Sequence, residues 1–256
     1  MITKESPIAV FDSGMGGVSV LRQLYRLMPG ENYIYFGDSA NAPYGVKTTD
    51  EIKALTVKNV VNLINKGAKA VVIACNTATA AAAKELRSMY KEIPIIGLEP
   101  ALKPAALSKE HPTVIVLATP LTLREEKFEL LHQRFKDEAE VIKLPAPDLV
   151  KFVEDDKVDS DEMTEYLERL FKGIDKSKVD CLVLGCTHFP FAKRRLQDFL
   201  GSHVEIFNGA EGAARQTKRL LEEKNLLNDN VCGGTVIFEN SDEKHIDFSK
   251  ELFLRK

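Results

Sequence analysis

The chain has 256 residues, of which 44% are hydrophobic and 29% are charged, and its formal net charge at pH 7 is -3. This composition is typical of a globular protein whose core needs no disulfide or metal for stability. A chain without a basic cluster is unsuited to nucleic-acid binding. No apolar run approaches the roughly 20 residues of a membrane span, and the first residues lack a signal-peptide layout, so we expect a cytoplasmic protein.

The cysteines of the chain are Cys75, Cys181, Cys186 and Cys232. In a reducing cytoplasm we expect them to be thiols rather than disulfides. The spacing between Cys181 and Cys186 is not a zinc pattern, and no second close Cys/His pair completes a set of ligands. We therefore predict no structural metal.

Short apolar runs alternate with helical stretches along the chain. Runs rich in Val, Ile and Leu are typical of strands buried on both faces of a parallel sheet. Their regular alternation with helices predicts α/β layers with right-handed crossovers. The predicted strands are Ile8–Phe11, Tyr33–Phe36, Ala70–Ala74, Ile95–Leu98, Val114–Leu117, Val141–Leu144, Leu182–Leu184 and Val204–Phe207.

The helices between these strands have start and stop signals. Thr48 and Glu51 have the spacing of a capping box, and Gly67 ends the helix that follows. The alanine content after the third strand favours a helix by propensity. Two further predicted helices are Ala78–Met89 and about Ala210–Leu226. Another ends at Leu170, and Asp159 and Glu162 have the spacing of a capping box at its start.

The two halves of the chain repeat each other. Ile8–Gly14 and Val114–Pro120 are both a strand followed by polar residues, and Ala70–Thr77 and Cys181–His188 both end in a cysteine and two polar residues. Ligands bind at the carboxyl ends of parallel strands. We therefore predict two similar α/β domains, each presenting a loop and a cysteine. They comprise residues 1–98 with about 208–256, where a strand at Thr235–Phe238 returns to the first half, and residues 99–207.

The loop after the first strand reads Asp12-Ser13-Gly14-Met15-Gly16-Gly17. Its glycines allow the backbone to approach a ligand, and the helix that follows offers free N–H groups to an anion. The spacing differs from the dinucleotide fingerprint G-x-G-x-x-G. By itself the loop is equally well explained as a tight strand-to-helix turn.

The cysteines at the two strand ends are candidate acid–base groups. Cys75 lies at a strand-to-helix junction, where the helix dipole favours a thiolate, although on its own it could be a core residue. Cys186 lies two residues before His188, whose imidazole can activate a thiol. Because both halves place a cysteine at the same point, the pattern favours two paired thiols.

Taken together, these motifs resemble those of the cofactor-independent aspartate/glutamate racemase superfamily. Each motif is weak alone, whereas the ordered set is specific and covers nearly the whole chain. The resemblance implies two α/β domains with mostly parallel sheets, pseudo-twofold symmetry and an active site between them. The matching stretches are Phe11–Gly17, Gly37–Gly45, Ala74–Ala78, Glu99-Pro100 and Leu184–Pro190.

The resemblance also implies an activity and residue roles. The chain would be an isomerase that interconverts L- and D-glutamate without a cofactor, supplying D-glutamate for peptidoglycan synthesis. Cys75 and Cys186 would be the two acid–base thiols. Asp12 would assist Cys75, and His188 and Glu154 would assist Cys186. The implied substrate contacts are Asp12, Ser13, Tyr44, Gly45, Asn76, Thr77, Thr119, Thr122, Thr187 and His188.

Two alternatives stay open. One is a racemase of the same superfamily that acts on aspartate or another amino acid, and the other is a non-catalytic amino-acid-binding protein on this scaffold. The presence of both thiols with Asp12 and His188 argues against the second. The resemblance further implies a homodimer. The chain departs from the family pattern at Pro120, Asn208-Gly209-Ala210 and Glu239-Asn240-Ser241.

Overall fold

The computed structural model describes residues 2–255. The chain forms two compact units. The first contains the residues up to Leu98 and those from Ala210 onward, and the second is Glu99–Gly209. Each unit has its own sheet, and every strand pairing within the described residues is parallel. The α/β class predicted from the alternating apolar runs is therefore confirmed.

Every predicted apolar run forms a strand, with ends that differ by at most one residue. The strand expected near Thr235–Phe238 is also present and pairs with the second strand of the first unit. In chain order the strands are β1 (Ile8–Asp12), β2 (Tyr33–Gly37), β3 (Ala70–Ile73), β4 (Ile95–Gly97), β5 (Thr113–Ala118), β6 (Glu140–Pro145), β7 (Cys181–Leu184), β8 (Glu205–Asn208) and β9 (Val236–Asn240).

Helices connect these strands, and short 3-10 turns occupy several of the loops. In chain order the helices are α1 (Val18–Leu27), α2 (Thr49–Asn65), α3 (Asn76–Met89), α4 (Leu102–Ala106), α5 (Pro120–Arg124), α6 (Glu126–Arg134), α7 (Leu149–Glu154), α8 (Asp161–Leu170), α9 (Lys193–Leu200), α10 (Ala210–Glu223) and α11 (His245–Leu254). The 3-10 turns are Ser39–Asn41, Tyr44–Val46, Lys176–Lys178 and Phe189–Ala192.

Capping side chains explain where the helices begin. The predicted capping box of α2 is complete, because Thr48 and Glu51 each accept a hydrogen bond from the other's backbone N–H. The box predicted for α8 is wrong. Ser160 is its N-cap, and its hydroxyl accepts the N–H of Met163 at 3.2 Å. Asp159 lies one residue too early to make that contact.

The two sheets share one topology. The first unit has the order β4-β3-β1-β2-β9 and the second has the order β6-β5-β7-β8. Without β9, each sheet places its own first strand between its second and third strands, with the fourth beyond the third. The repeat read from the sequence is thus a repeat of strand order within each unit. Because ligands bind where the carboxyl ends of such strands meet, this order determines which loops are neighbours.

The central strands are buried on both faces, as the apolar runs predicted. In the second unit, alternate side chains of β5 and β7 enter two separate apolar clusters. One cluster includes Ile115 and Leu182, and the other includes Val116 and Val183. The edge strands differ from the prediction, since residues of β6, β8 and β9 are half-buried or exposed.

Candidate active site

In the first unit the predicted residues gather at the carboxyl ends of β1 and β3. These strands are neighbours, with Phe11 opposite Ile73 in the register. Asp12 ends β1, and Cys75 follows β3 as the N-cap of α3. Parallel pairing therefore brings together two residues that are 63 positions apart in the sequence.

The sulfur of Cys75 has two hydrogen-bond donors. The hydroxyl of Ser13 donates to it at 3.3 Å, and the backbone N–H of Ala78 donates to it at 3.4 Å. The residue is only 7% exposed. Donors and a helix N-terminus stabilise negative charge, so this environment suits a thiolate.

The glycine-rich loop is packed around Asp12. The carboxylate is fully buried and accepts the backbone N–H of Gly14 at 3.1 Å. A Cβ atom on Gly17 would lie 2.5 Å from the Cβ of Asp12. Glycine is therefore needed at position 17 for close packing against Asp12, which explains this part of the motif without a ligand.

Tyr44 lies in a buried polar network near Cys75. Its hydroxyl donates to the carboxylate of Asp38 at 2.7 Å, and the side-chain amide of Asn59 donates to the same oxygen at 3.0 Å. Burial raises the pKa of Tyr44, and the negative charges of Asp38 and Cys75 raise it further. The phenol is thus held neutral. The sequence interpretation missed Asp38 and Asn59, although Asp38 stands within the motif that led to Tyr44.

Asn76 and Thr77 open helix α3 and are both buried. The oxygen and the nitrogen of the Asn76 side chain have no hydrogen-bond partner in the structure. Buried amides are almost always hydrogen-bonded, because an unmet polar group costs about 1–3 kcal/mol. This side chain, next to Cys75, is therefore well suited to bind a polar ligand. Gly45, in the turn after Tyr44, is half-buried.

In the second unit a chain of hydrogen bonds leads away from Cys186. Its sulfur lies 3.8 Å from Nδ1 of His188, and Nε2 of His188 lies 3.0 Å from Oε1 of Glu154. Burial lowers the pKa of His188, but the hydrogen bonds to Cys186 and Glu154 outweigh it and raise the pKa well above its ordinary value. An imidazolium beside Cys186 stabilises a thiolate there.

The predicted substrate-contact threonines of the second unit, Thr119, Thr122 and Thr187, follow the carboxyl ends of β5 and β7. Thr119 caps α5 by accepting the N–H of Thr122 at 3.3 Å, and the two hydroxyls are 3.0 Å apart. Pro120 occupies the first turn of α5, where proline is favourable, so a proline at this position is compatible with the cap at Thr119. Thr187, directly after Cys186, is buried.

The structure thus collects the predicted residues into two groups, one in each unit. Ser13, Tyr44 and Asn76 surround Cys75, while His188 and Glu154 follow Cys186. The activating groups differ, since Cys75 has a hydroxyl and a helix N-terminus and Cys186 has an imidazole. Among residues 2–255, no group of three His, Cys, Asp or Glu side chains could hold a metal ion. No helix in the described part of the chain is long and apolar enough to cross a membrane.

Each of the two α/β units has a parallel sheet and places a cysteine after its third strand, an arrangement suited to acid–base chemistry by thiols. The chain matches the Asp/Glu/Hydantoin racemase family over residues 8–217 and belongs to that family. The family resemblance found in the sequence motifs is therefore confirmed.

Relatives within this family carry a more specific name. The chain is 46% identical to glutamate racemase of Clostridium botulinum (strain Alaska E43 / Type E3) over 254 residues, which cover 98% of each chain. It is similar to the solved glutamate racemase RacE1 of Bacillus anthracis, with a TM-score of 0.86, 29% identity and coverage of 99% and 95%. Glutamate racemase of Francisella tularensis, solved with D-glutamate, has a TM-score of 0.84, 28% identity and the same coverage of 99% and 95%.

Proposed function

We propose that this protein is a cofactor-independent glutamate racemase that interconverts L- and D-glutamate. The observation that carries the proposal is the pair of cysteines at equivalent strand ends, each with its own activating partner. The 46% identity to a glutamate racemase over nearly the full length of both chains supports the substrate. The likeness to an enzyme solved with D-glutamate supports it as well.

The chemistry requires one proton to leave the α-carbon and another to arrive on the opposite face. In the proposed mechanism, Cys75 acts on one face of the substrate α-carbon and Cys186 acts on the other. One cysteine begins as a thiolate and takes the α-proton, and its S–H bond forms as the C–H bond breaks. The other begins as a thiol and gives its proton to the carbanion, becoming a thiolate. General acid–base groups typically contribute about 10²–10⁴-fold each.

The groups around each thiol support these roles. Ser13 and the N-terminus of α3 favour the thiolate of Cys75, and Asp12 assists proton movement there. The imidazolium of His188, positioned by Glu154, favours the thiolate of Cys186. Fixed donors of this kind stabilise charge without rearrangement during the reaction.

The remaining residues bind the amino and carboxylate groups of the substrate. The unpaired carboxamide of Asn76 provides both a donor and an acceptor. The neutral Tyr44 side chain would contact the substrate through its surface and would not contribute a charge. The proposed contacts are Asp12, Ser13, Tyr44, Gly45, Asn76, Thr77, Thr119, Thr122, Thr187 and His188.

The proposal extends to the biological setting. D-glutamate made in the cytoplasm would supply peptidoglycan synthesis. In the proposed domain division, residues 1–98 and about 208–256 form one domain, and residues 99–207 form the other. Association into a homodimer stays a prediction from the family resemblance. Racemisation of aspartate, or binding without turnover, remains as an outcome of the assay below.

Circular dichroism on pure L-glutamate, D-glutamate and L-aspartate tests the proposal. We expect both glutamate enantiomers to approach a racemic mixture and aspartate to change far more slowly. Cys75→Ala and Cys186→Ala should each lose at least about 10³-fold in rate, because each removes one acid–base group. Cys232→Ala is the matched control, since this cysteine is exposed, and should keep full activity. Substantial turnover by either active-site variant would contradict the two-thiol mechanism.

Proton exchange with solvent tests the division of labour between the thiols. In D₂O, a thiol that donates carries deuterium, whereas the thiolate that abstracts receives the substrate proton. Early in the reaction we therefore expect deuterium in the product enantiomer and little in the remaining substrate. Equal labelling of both enantiomers from the start would indicate a single base instead.

A further inference from the structure

Residues of the candidate site hold one side of the loop that carries Tyr44. We call residues Gly37–Val46 the tyrosine loop. Its Asp38 donates a backbone N–H to the carbonyl of Asp12 at 3.0 Å. The carboxylate of Asp38 then accepts the Tyr44 hydroxyl and the Asn59 amide, as described above, and the amide of Asn41 at 2.9 Å. Asp38 thus links the loop to the end of β1.

The outer side of the tyrosine loop is held by the end of the last strand. The backbone N–H of Ser241 donates to the carbonyl of Gly37 at 2.9 Å, and its hydroxyl accepts the N–H of Ala40 at 2.9 Å. The amide nitrogen of Asn240 donates to the hydroxyl of Ser39 at 2.9 Å. The amide oxygen of Asn240 accepts the N–H of Asp242 at 2.9 Å, which orients the side chain.

These side-chain contacts are additional to those that attach β9 to its sheet. Strand β9 pairs with β2 along five positions, and the ring of Phe238 packs against Tyr35 and Phe253 at centroid distances of 6.0 and 5.6 Å. The side chains of Asn240 and Ser241 reach beyond β2 to the turn Ser39–Asn41. Their loss would free the loop without detaching the strand.

We propose that Asn240 and Ser241 are positioning residues for the substrate site, acting through the tyrosine loop. Their hydrogen bonds fix the position of the turn Ser39–Asn41. The turn then fixes the orientation of the Asp38 carboxylate, which accepts the hydrogen bond from the Tyr44 hydroxyl. The inference rests on the proposed function, because it assigns Tyr44 and Gly45 to the glutamate site.

Steady-state kinetics on five variants test the positioning role. We expect Asn240→Ala and Ser241→Ala to raise KM for glutamate roughly 3- to 10-fold each, the usual effect of one lost hydrogen bond, while kcat stays within about twofold. Ser241→Thr keeps the hydroxyl and should restore the wild-type KM. Glu239→Gln is the matched control, because Glu239 lies on the same strand but pairs with Lys66 at the surface. A KM unchanged in the Asn240→Ala/Ser241→Ala variant would overturn the proposal.

Hydrogen–deuterium exchange of the full chain gives a readout that does not depend on turnover. In the double variant we expect faster exchange over residues 38–47 and unchanged exchange over β2 and β9. Faster exchange over both strands as well would mean a general loss of strand packing and would overturn the positioning role. If wild type and Glu239→Gln both fail to racemise glutamate, the proposed function fails. The exchange pattern still decides then whether Asn240 and Ser241 hold the loop.

Discussion

His188 has a partner on each ring nitrogen, and both partners favour the protonated ring. Cys186, on Nδ1, benefits from a proton on the ring, and Glu154, on Nε2, retains that proton by its negative charge. Burial works against the charged ring, yet the pKa of His188 is raised well above its ordinary value. The hydrogen bonds to Cys186 and to Glu154 together make an imidazolium possible in a buried position.

Glu154→Gln should lower the pKa of His188, because it removes the charge that favours the imidazolium. NMR titration of the His188 ring protons in wild type and in Glu154→Gln measures this directly. A His188 pKa that is the same in wild type and Glu154→Gln would assign the raised pKa to Cys186 alone.

The His188–Glu154 pair makes the free energy of unfolding depend on pH in a predictable direction. The folded pKa of His188 lies above its unfolded value of about 6.5, so its contribution to stability is complete below about pH 6.5. That contribution is lost as the pH rises through the folded pKa. The stability deficit of Glu154→Gln in urea denaturation should therefore be largest below pH 6.5 and shrink at higher pH.

At the scale of elements, the first turn of α3 combines support and function in neighbouring residues. Thr79 donates its hydroxyl proton to the carbonyl of Ile73 at 3.0 Å and accepts the N–H of Leu98 at 3.1 Å, which ties α3 to β3 and β4. Asn76, one turn earlier, has two buried polar atoms without a partner. One residue therefore stabilises the turn that carries Cys75, and the other is suited to the ligand.

The variants Asn76→Ala and Thr79→Val should separate these roles. Asn76→Ala loses no internal hydrogen bond and replaces a poor helix former by a good one, so its stability should equal or exceed that of wild type while KM rises at least about tenfold. Thr79→Val removes both hydrogen bonds of the hydroxyl, although the N–H of Leu98 keeps the carbonyl of Ile73 as an acceptor at 3.1 Å, and at about 0.5–1.5 kcal/mol for each bond it should cost about 1–3 kcal/mol. Urea denaturation and kinetics measure both. A clear loss of stability in Asn76→Ala would mean that its amide supports the fold.

At the scale of the whole molecule, a buried ion pair joins distant parts of the first unit at the end opposite the site. The ammonium of Lys69 lies 2.5 Å from the carboxylate of Glu31, and both side chains are almost completely buried. Lys69 also donates to the backbone carbonyl of Lys4, and Glu31 accepts the N–H of Asn228 at 2.8 Å. The pair thus fastens segments before β1 and before β9 to the same sheet.

Replacing only one partner of this pair should strongly lower the free energy of unfolding, whereas replacing both partners should change it much less. Lys69→Met leaves the charge of Glu31 buried and uncompensated and should cost about 3–5 kcal/mol, while Lys69→Met/Glu31→Leu should recover most of that. For comparison, Lys66→Met breaks a surface pair with Glu239 and should cost less than about 1 kcal/mol. Chemical denaturation gives all three values. A double variant as unstable as Lys69→Met would contradict this explanation.

Local patterns were sufficient for the elements and for the pair of thiols. Apolar runs such as Ala70–Ile73 form strands because a strand buried on both faces needs nothing else from its sequence. The cap at Thr48 depends on residues within one helical turn, so it too could be recognised in the sequence. Cys75 and Cys186 stood out because the chain repeats itself around them.

Contacts between distant residues required the three-dimensional structure. The bonds from Asn59 to Asp38 and from Asn240 to Ser39 join residues 21 and 201 positions apart. The packing of α2 brings the first pair within reach, and the pairing of β9 with β2 brings the second. No spacing rule covers such distances, because side-chain hydrogen bonds depend on where whole strands and helices pack. The thiols and the groups within their own motifs can therefore be read from the order of residues, whereas the contacts of Asp38, Asn59 and Asn240 follow only from the fold.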